Sequence, residues 1–238
     1  MRRRPAVTRA MEDYLKALFE LGEVDVKPRA LAAAVGVSPA SVTGMLQKLA
    51  QLRLVSYRKY RGASLTAAGR ALALETLRHH RLLETYLASA LGYGWHEVHD
   101  EAERLEHVIS EDFEERMDVL LGRPTHDPHG DPIPRRDGSL PATSGEPLNA
   151  LEAGVRAIIT RITDQDREVL RYLAEHGLVP GARVLIVDRA PFEGPVTVRR
   201  EGEGTGATDG EQLARGSPVV PLAYALAGAI RARVVGRS

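Results

Sequence analysis

Apolar residues recur at helical spacing over residues 8–22, where Met11, Tyr14, Leu15, Leu18 and Phe19 share one face. Thr8 is placed to cap this helix, and Gly22 follows its end. Residues 29–35 predict a short second helix, and Gly36 stands where a tight turn needs positive φ. Ser38 then predicts the cap of a third helix with Pro39 at its first position; Val42, Met45, Leu46 and Leu49 mark its buried face. After Leu52 the pattern changes to a hairpin: Leu54-Val55-Ser56-Tyr57-Arg58, a turn near Arg61-Gly62, then Ala63-Ser64-Leu65.

Thr66 predicts the cap of a long helix over residues 67–91, broken by Gly92-Tyr93-Gly94. Two shorter helices follow, at 97–107 and 111–121. Residues 123–149 collect Pro, Gly, His and Asp and read as a linker without packed structure. From 150 onward the chain is β-rich, with strands expected at 155–163, 184–187, 196–198 and 230–235, a helix at 166–174 and a glycine-rich loop at 202–210. The expected fold is mainly α with a small β domain that suggests a barrel. Its parts are a winged helix-turn-helix (1–66), a helical domain (67–122), the linker (123–149) and the β module (150–238).

No apolar run approaches the roughly 20 residues that span a bilayer. The basic start, Met1-Arg2-Arg3-Arg4-Pro5, has no apolar stretch behind it. A cytoplasmic protein without a membrane partner is expected. Cysteine is absent, which fits a reducing compartment and excludes thiolate metal ligands and Cys nucleophiles. The formal net charge is zero, but its distribution is uneven. Residues 1–66 hold 12 Lys/Arg against 5 Asp/Glu, residues 67–122 hold 5 against 12 together with five of the eight histidines, and the remainder balances at 15 against 15. A basic block followed by an acidic, His-rich block points to two different jobs.

The basic block fits double-stranded DNA. In a helix-turn-helix the second helix enters the major groove. Here that helix opens with Ser38, Pro39, Ala40, Ser41 and Thr43, small side chains that allow close approach to base edges. Arg29 and Lys48, with Arg58, Lys59 and Arg61 on the hairpin, are placed to hold phosphates, which gives affinity but no sequence reading. The bland alternative is a helix-turn-helix used only for packing; the basic wing argues against it.

The acidic block fits a metal. His80 and Glu84 lie four apart on the long helix. His99, Glu103, Glu106 and His107 are spaced by four, three and one, which on a continuous helix places them within an arc of roughly 100°. Such a stripe repels itself unless a cation neutralises it. Imidazole and carboxylate without sulfur suit Mn²⁺ or Fe²⁺, with Zn²⁺, Co²⁺ and Ni²⁺ as competitors. A solvated charged face explains Glu111, Asp112, Glu114 and Glu115 equally well. His79 is expected in solvent or at an interface, and His126 and His129 in ordinary turns. Two rival functions are a metal-independent winged-helix regulator that senses an organic ligand and, less favoured, a metal-dependent hydrolase. The second lacks any His-Glu-x-x-His signature, so a non-enzyme without an organic cofactor is expected.

Taken together, the order of parts resembles the diphtheria toxin repressor and manganese transport regulator (DtxR/MntR) family over nearly the whole chain. The residues that carry the resemblance are Met11-Glu12-Asp13-Tyr14-Leu15, Ser38-Pro39-Ala40-Ser41-Val42, Leu65-Thr66-Ala67-Ala68-Gly69 and His79-His80-Arg81-Leu82-Leu83-Glu84. Val98-His99-Asp100-Glu101, Glu106-His107-Val108-Ile109-Ser110 and His129-Gly130-Asp131-Pro132-Ile133-Pro134 complete it. The resemblance implies an SH3-like (FeoA-like) C-terminal barrel and a homodimeric, metal-dependent repressor of metal-homeostasis genes. It implies two metal positions per subunit: His80, Glu84 and His99 in one, Asp13 with Glu103, Glu106 and His107 in the other. Asp164 of the barrel is a further candidate ligand. Asp13 and Glu103 stand where iron-responsive members place Met and Cys, which favours Mn²⁺ over Fe²⁺. Lys16 replaces a Glu available in manganese-type members, and Gly44 a base-contacting Gln found in some members.

Overall fold

The computed structural model describes residues 7–202 and 218–237, so the glycine-rich stretch expected as a loop lies outside the described residues from 203 on. The chain divides into two compact units. The first comprises Met1–Leu83, Ala102–Gly122 and Ile133–Leu140, and the second Glu84–Glu101, Arg123–Pro132 and Pro141–Ser238.

In the first unit, α1 (Arg9–Glu20), α2 (Pro28–Val35) and α3 (Pro39–Gln51) are followed by a hairpin of β1 (Val55–Arg58) and β2 (Gly62–Leu65). Tyr14, Leu15 and Leu18 of α1 pack with Leu31, Val42, Leu46 and Leu49, all buried, as the helical periodicity requires. Helices α2 and α3 meet at 104°, the geometry of a helix-turn-helix. Gly36 takes φ +68° at the end of α2, and the Ser38 hydroxyl accepts from the Ser41 amide at 3.3 Å. Thr8 makes no such side-chain bond, so the expected cap of α1 is not formed. The hairpin is antiparallel, with Val55 opposite Leu65.

Helix α4 (Ala67–Leu91) begins where Thr66 Oγ1 accepts from the Gly69 amide at 3.1 Å. Gly69 tolerates no side chain, since a Cβ there would lie 2.0 Å from the Leu54 carbonyl oxygen. Helices α5 (Val98–Leu105) and α6 (Glu111–Leu120) follow, α6 capped by Ser110. Helix α5 stops two residues earlier than its sequence pattern predicts, so Glu106 and His107 lie in the turn beyond it.

The second unit is built on a six-stranded antiparallel sheet in the order β3-β8-β4-β5-β6-β7. Its strands are β3 (Glu146–Pro147), β4 (Val155–Ile162), β5 (Arg183–Arg189), β6 (Val196–Glu201), β7 (Val219–Leu222) and β8 (Ile230–Arg237). Helix α7 (Arg167–Glu175) and the short α8 (Tyr224–Ala229) accompany it. Alternate residues of β4, Val155, Ala157 and Ile159, enter a core with Val184, Ile186, Val196 and Val198. The stretch expected to be an unpacked linker is in fact structured. Asp127, His129, Asp131, Ile133 and Leu148 are buried; the Asp127 amide donates to the Asp131 carbonyl, the His129 carbonyl accepts from Ile162 of β4, and Leu148 joins the core of the second unit. Among the described residues no single helix is long and apolar enough to cross a membrane.

Candidate metal centres and DNA-reading surface

Helix α1 carries Glu12 and Asp13 toward the turn after α5. Asp13 Oδ1 lies 2.8 Å from His107 Nε2, and Glu106 Oε1 lies 3.3 Å from the same nitrogen. One ligand atom from each of Asp13, Glu106 and His107 falls within 4.8 Å of the others. Asp13 Oδ1 is buried without a hydrogen-bond partner, and burial pushes the Asp13 carboxyl above its ordinary value, helped by Glu106 and Glu103 against His107 and Lys16. A half-buried carboxylate with one enclosed oxygen, beside an imidazole and a second carboxylate, fits a hard divalent cation.

Two side chains outside this set orient it. Glu12 Oε2 accepts from His107 Nδ1 at 2.6 Å, which turns the opposite nitrogen toward Asp13 and Glu106. His79 Nδ1 donates to the Glu106 carbonyl at 3.0 Å, while Nε2 lies 3.0 Å from Glu114. His79 was expected in solvent or at an interface; instead it is buried, and its pKa is raised because Glu114 and the Glu106 carbonyl outweigh desolvation. Glu12 was not singled out from sequence, although it adjoins Asp13 in Met11-Glu12-Asp13; a one-residue offset on a helix gave no reason to aim it at the same histidine.

Lys16, one turn below Asp13 on α1, reaches the same carboxylates. Its Nζ lies 2.6 Å from Glu103 Oε1 and 2.7 Å from Glu106 Oε1. His80 Nδ1 lies 2.5 Å from Glu106 Oε2. Burial would push the Glu106 carboxyl up, but the His80 hydrogen bond and the Lys16 charge hold it below the usual carboxylate range. The stripe inferred for residues 99–107 is therefore split. Glu103, Glu106 and His107 belong to the first unit and His99 to the second, and Glu106 and His107 lie in the turn beyond the end of α5 at Leu105.

The second unit holds its own group. Glu84 of α4 lies 3.2 Å from His99 Nδ1 and 3.6 Å from His129 Nδ1. Glu84, Asp127 and His129 are all buried, with one ligand atom of each inside 4.8 Å. His129 Nε2 donates to the Trp95 carbonyl at 2.8 Å, which in the neutral ring leaves the Nδ1 lone pair for a ligand; Nδ1 is buried and has no hydrogen-bond partner. His129 was expected in an ordinary turn. No periodicity marks it, because Asp127 and His129 are fixed by loop bonds: the Asp127 carboxylate accepts from the amides of His129 and Asp131 at 2.8 and 2.9 Å. Strand β4 braces the loop. The Ile162 amide donates to the His129 carbonyl at 2.8 Å, and Arg161 pairs with Asp131. Asp164 accepts from the Asp166 amide at 2.9 Å and joins none of the ligand groups found among the described residues.

On α3, Ser38, Pro39, Ala40 and Ser41 are exposed, Thr43 is half-buried and Lys48 is exposed. Ala40, Thr43, Gly44 and Gln47 share one face at spacings of three and four; Gln47 is exposed and was not among the sequence candidates. A side chain at Gly44 would meet nothing within 4 Å, so the glycine leaves a shallow, open patch. Arg29, Arg58, Lys59 and Arg61 are exposed, and Lys27 Nζ donates to the Arg61 carbonyl at 2.7 Å, anchoring the hairpin tip.

Residues 6–63 match the iron dependent repressor N-terminal DNA binding domain, residues 66–135 the iron dependent repressor metal binding and dimerisation domain, and residues 146–206 the FeoA domain. The iron-dependent repressor IdeR of Mycobacterium leprae is 34% identical over 192 residues, covering 74% of this chain and 82% of its own. The diphtheria toxin repressor of Corynebacterium diphtheriae is 31% identical over 204 residues, covering 81% and 89%. A manganese-dependent transcriptional repressor in complex with manganese superposes with TM-score 0.82 at 36% identity, over 94% of this chain and all of the other. ScaR with bound Zn²⁺ gives TM-score 0.75 at 32% identity, over 94% and 99%.

Proposed function

The chain belongs to the DtxR/MntR family of metal-dependent transcriptional repressors, and from that premise we propose that it is a manganese-activated repressor binding operator DNA as a homodimer. The observation that carries the reading is the convergence of Asp13, on the first helix of the DNA-reading module, with Glu106 and His107 after α5. When bound there, a divalent ion supplies coordinate bonds between these side chains. Asp13 thereby ties α1, and the α2–α3 pair packed on it, to the helical segment. Glu12 holds the His107 ring in register for that tie. Shifting a two-state equilibrium from mostly incompetent to mostly competent requires roughly 10⁴-fold preference, about 5.5 kcal/mol, within reach of a carboxylate–imidazole centre.

The choice of Mn²⁺ over Fe²⁺ rests on ligand chemistry. Asp13 and Glu106 offer hard oxygen, and no sulfur ligand is available from cysteine. We assign a second ion to Glu84, Asp127 and His129, whose orphaned Nδ1 supports it, giving two per subunit. The grouping of His80, Glu84 and His99 expected from sequence stays a proposal beside this one, and His99 Nδ1 lies 3.2 Å from Glu84. The dimer is supported by the matched dimerisation domain and by Phe113, Val119 and Leu120 of α6, which expose 43%, 53% and 68% of their surfaces. A dimer sets two recognition helices on half-sites about 34 Å apart. The regulated genes would serve metal homeostasis.

The test is retention of genomic DNA fragments by the full chain under chelation, Mn²⁺ or anaerobic Fe²⁺. Retention of specific fragments with Mn²⁺ at lower concentration than Fe²⁺ supports the proposal. Equal retention under chelation returns the organic-ligand alternative.

A further inference from the structure

Lys16 is the unusual member of the centre built on Asp13. It is 8% exposed, and its ammonium contacts both oxygens of Glu106, at 2.7 and 3.0 Å, together with Glu103 at 2.6 Å. A buried lysine has three donors and no acceptor, so it needs anionic partners in fixed places. Here those partners are carboxylates of the metal centre itself, one of which, Glu106, also belongs to the Asp13–Glu106–His107 ligand group. Lys16 is thus no bystander on the surface of α1: it competes for the same oxygens that a metal ion would use.

Asp13, Glu103 and Glu106 carry three negative charges when ionised. Glu12 beside His107 adds a fourth, so charge alone does not set the number of ions; the ammonium does, by occupying Glu103 Oε1 and Glu106 Oε1, oxygens that a second ion would need. The lysine also reaches these groups from α1, the helix that carries Asp13, so an α1 tie to the turn after α5 exists before any ion binds.

Resting on the metal-centre reading above, we propose that Lys16 is a resident cation of this centre: it fixes the centre at a single divalent ion and sets the concentration at which that ion binds. An ion entering the Asp13–Glu106–His107 group meets carboxylates already partly neutralised, and a positive charge a few ångströms away. Affinity is held down, which suits a sensor that must stay empty until metal is abundant. The ammonium also keeps Glu103 and Glu106 from repelling each other while the ion is away.

The experiment is equilibrium dialysis of the full-length chain with Mn²⁺ alone, free ion read by electron paramagnetic resonance, with no DNA present. Wild type, Lys16→Met, Lys16→Gln and Lys16→Arg are compared, each with and without Asp13→Ala, and thermal melting under chelation reports whether each variant is folded. Asp13→Ala should remove one ion per subunit from wild type, which locates the centre. Lys16→Met and Lys16→Gln should bind that ion at least about tenfold more tightly, since a unit charge near a divalent ion is removed, whereas Lys16→Arg should stay close to wild type. If Asp13→Ala removes two ions from wild type, the resident-cation proposal is overturned. It is equally overturned if the neutral variants bind the Asp13-dependent ion within twofold of wild type, and the metal-centre reading then survives. Should Asp13→Ala remove no ion, the metal-centre reading fails and takes the Lys16 proposal with it. If Lys16→Met does not fold, Lys16→Gln, which keeps a hydrogen-bond donor without the charge, decides the matter.

Discussion

Asp13 Oδ1 stands 2.8 Å from His107 Nε2, joining the first helix of the chain to the turn that follows α5. Glu12, its neighbour in sequence, holds the other nitrogen of the same ring at 2.6 Å. Two adjacent residues of one helix therefore address one imidazole, the first fixing its orientation and the second sharing its ligand-facing side. Glu12→Gln keeps the shape but weakens that hold. It should loosen Mn²⁺ binding at the Asp13 centre by about tenfold, the lower end of the effect expected for an orienting partner. Unchanged affinity in a titration with Mn²⁺ would remove Glu12 from the centre.

A second prediction concerns the loop group. His129→Ala and Glu84→Gln should each lower bound Mn²⁺ from two ions per subunit to one, measured by dialysis, while the Asp13-dependent ion remains. Loss of both ions together, with the chain still folded, would mean that the groups are not independent.

The same loop gives a stability prediction. Gly130 has φ +86°, and a Cβ there would lie 2.1 Å from the Thr160 carbonyl oxygen of β4. Gly130→Ala combines left-handed strain with a backbone clash, so the second unit should lose at least about 2 kcal/mol. Chemical denaturation checks this, and a loss under about 0.5 kcal/mol would show that β4 does not press on the loop as described.

A pH prediction follows from Glu114. Its carboxyl is held at about 2 from an ordinary 4.5; burial opposes this, but hydrogen bonds from His79 and Arg78 and the Arg78 charge outweigh it. The folded value lies below the unfolded one, so the contribution to stability is complete above about pH 4.5 and is lost as pH falls from there toward about 2. Glu114→Gln has no such carboxyl to protonate, and the stability gap between it and wild type should narrow between about pH 5 and about pH 3. Glu114→Ala at neutral pH removes the Arg78 and His79 partner but leaves Arg78 its bonds to Asp118 and the Pro134 carbonyl, and should cost about 1–3 kcal/mol. A gap independent of pH would contradict the assignment.

For DNA, Lys48→Ala and Arg58→Ala should each weaken binding to all sequences alike and reduce the salt slope by about one. Gln47→Ala should instead change which fragments are preferred, since Gln47 lies on the exposed α3 face with Ala40 and Thr43. A sequence-neutral loss for Gln47→Ala would place it with the phosphate contacts.

Local patterns revealed much of this molecule. The spacing of Val42, Leu46 and Leu49, the Ser38-Pro39 start and Gly36 made α2 and α3 legible, because caps and helical periodicity act over a few residues. His80, Glu84 and the residues 99–107 could be seen as chemistry-bearing, but not that α5 ends at Leu105 and leaves Glu106 and His107 in the turn beyond it. Lys16 and Glu106 are 90 positions apart, so no local signal announced their ion pair. Asp127 and His129 were hidden for a different reason. Their stretch is rich in Pro and Gly, as disordered linkers are, yet its order comes from bonds to β4 and within the loop. Strand β7 was missed because it is short and contains Pro221, a residue tolerated only where its missing N–H costs nothing.

The most direct test of the central claim is operator binding by wild type and Asp13→Ala across a Mn²⁺ titration, with a chelator control and a matched melting curve. The account predicts that wild type binds specific DNA only with Mn²⁺, and that Asp13→Ala folds normally yet gains no binding at any Mn²⁺ concentration that saturates wild type. Full Mn²⁺ stimulation in Asp13→Ala would contradict it, since α1 would then need no metal tie through Asp13.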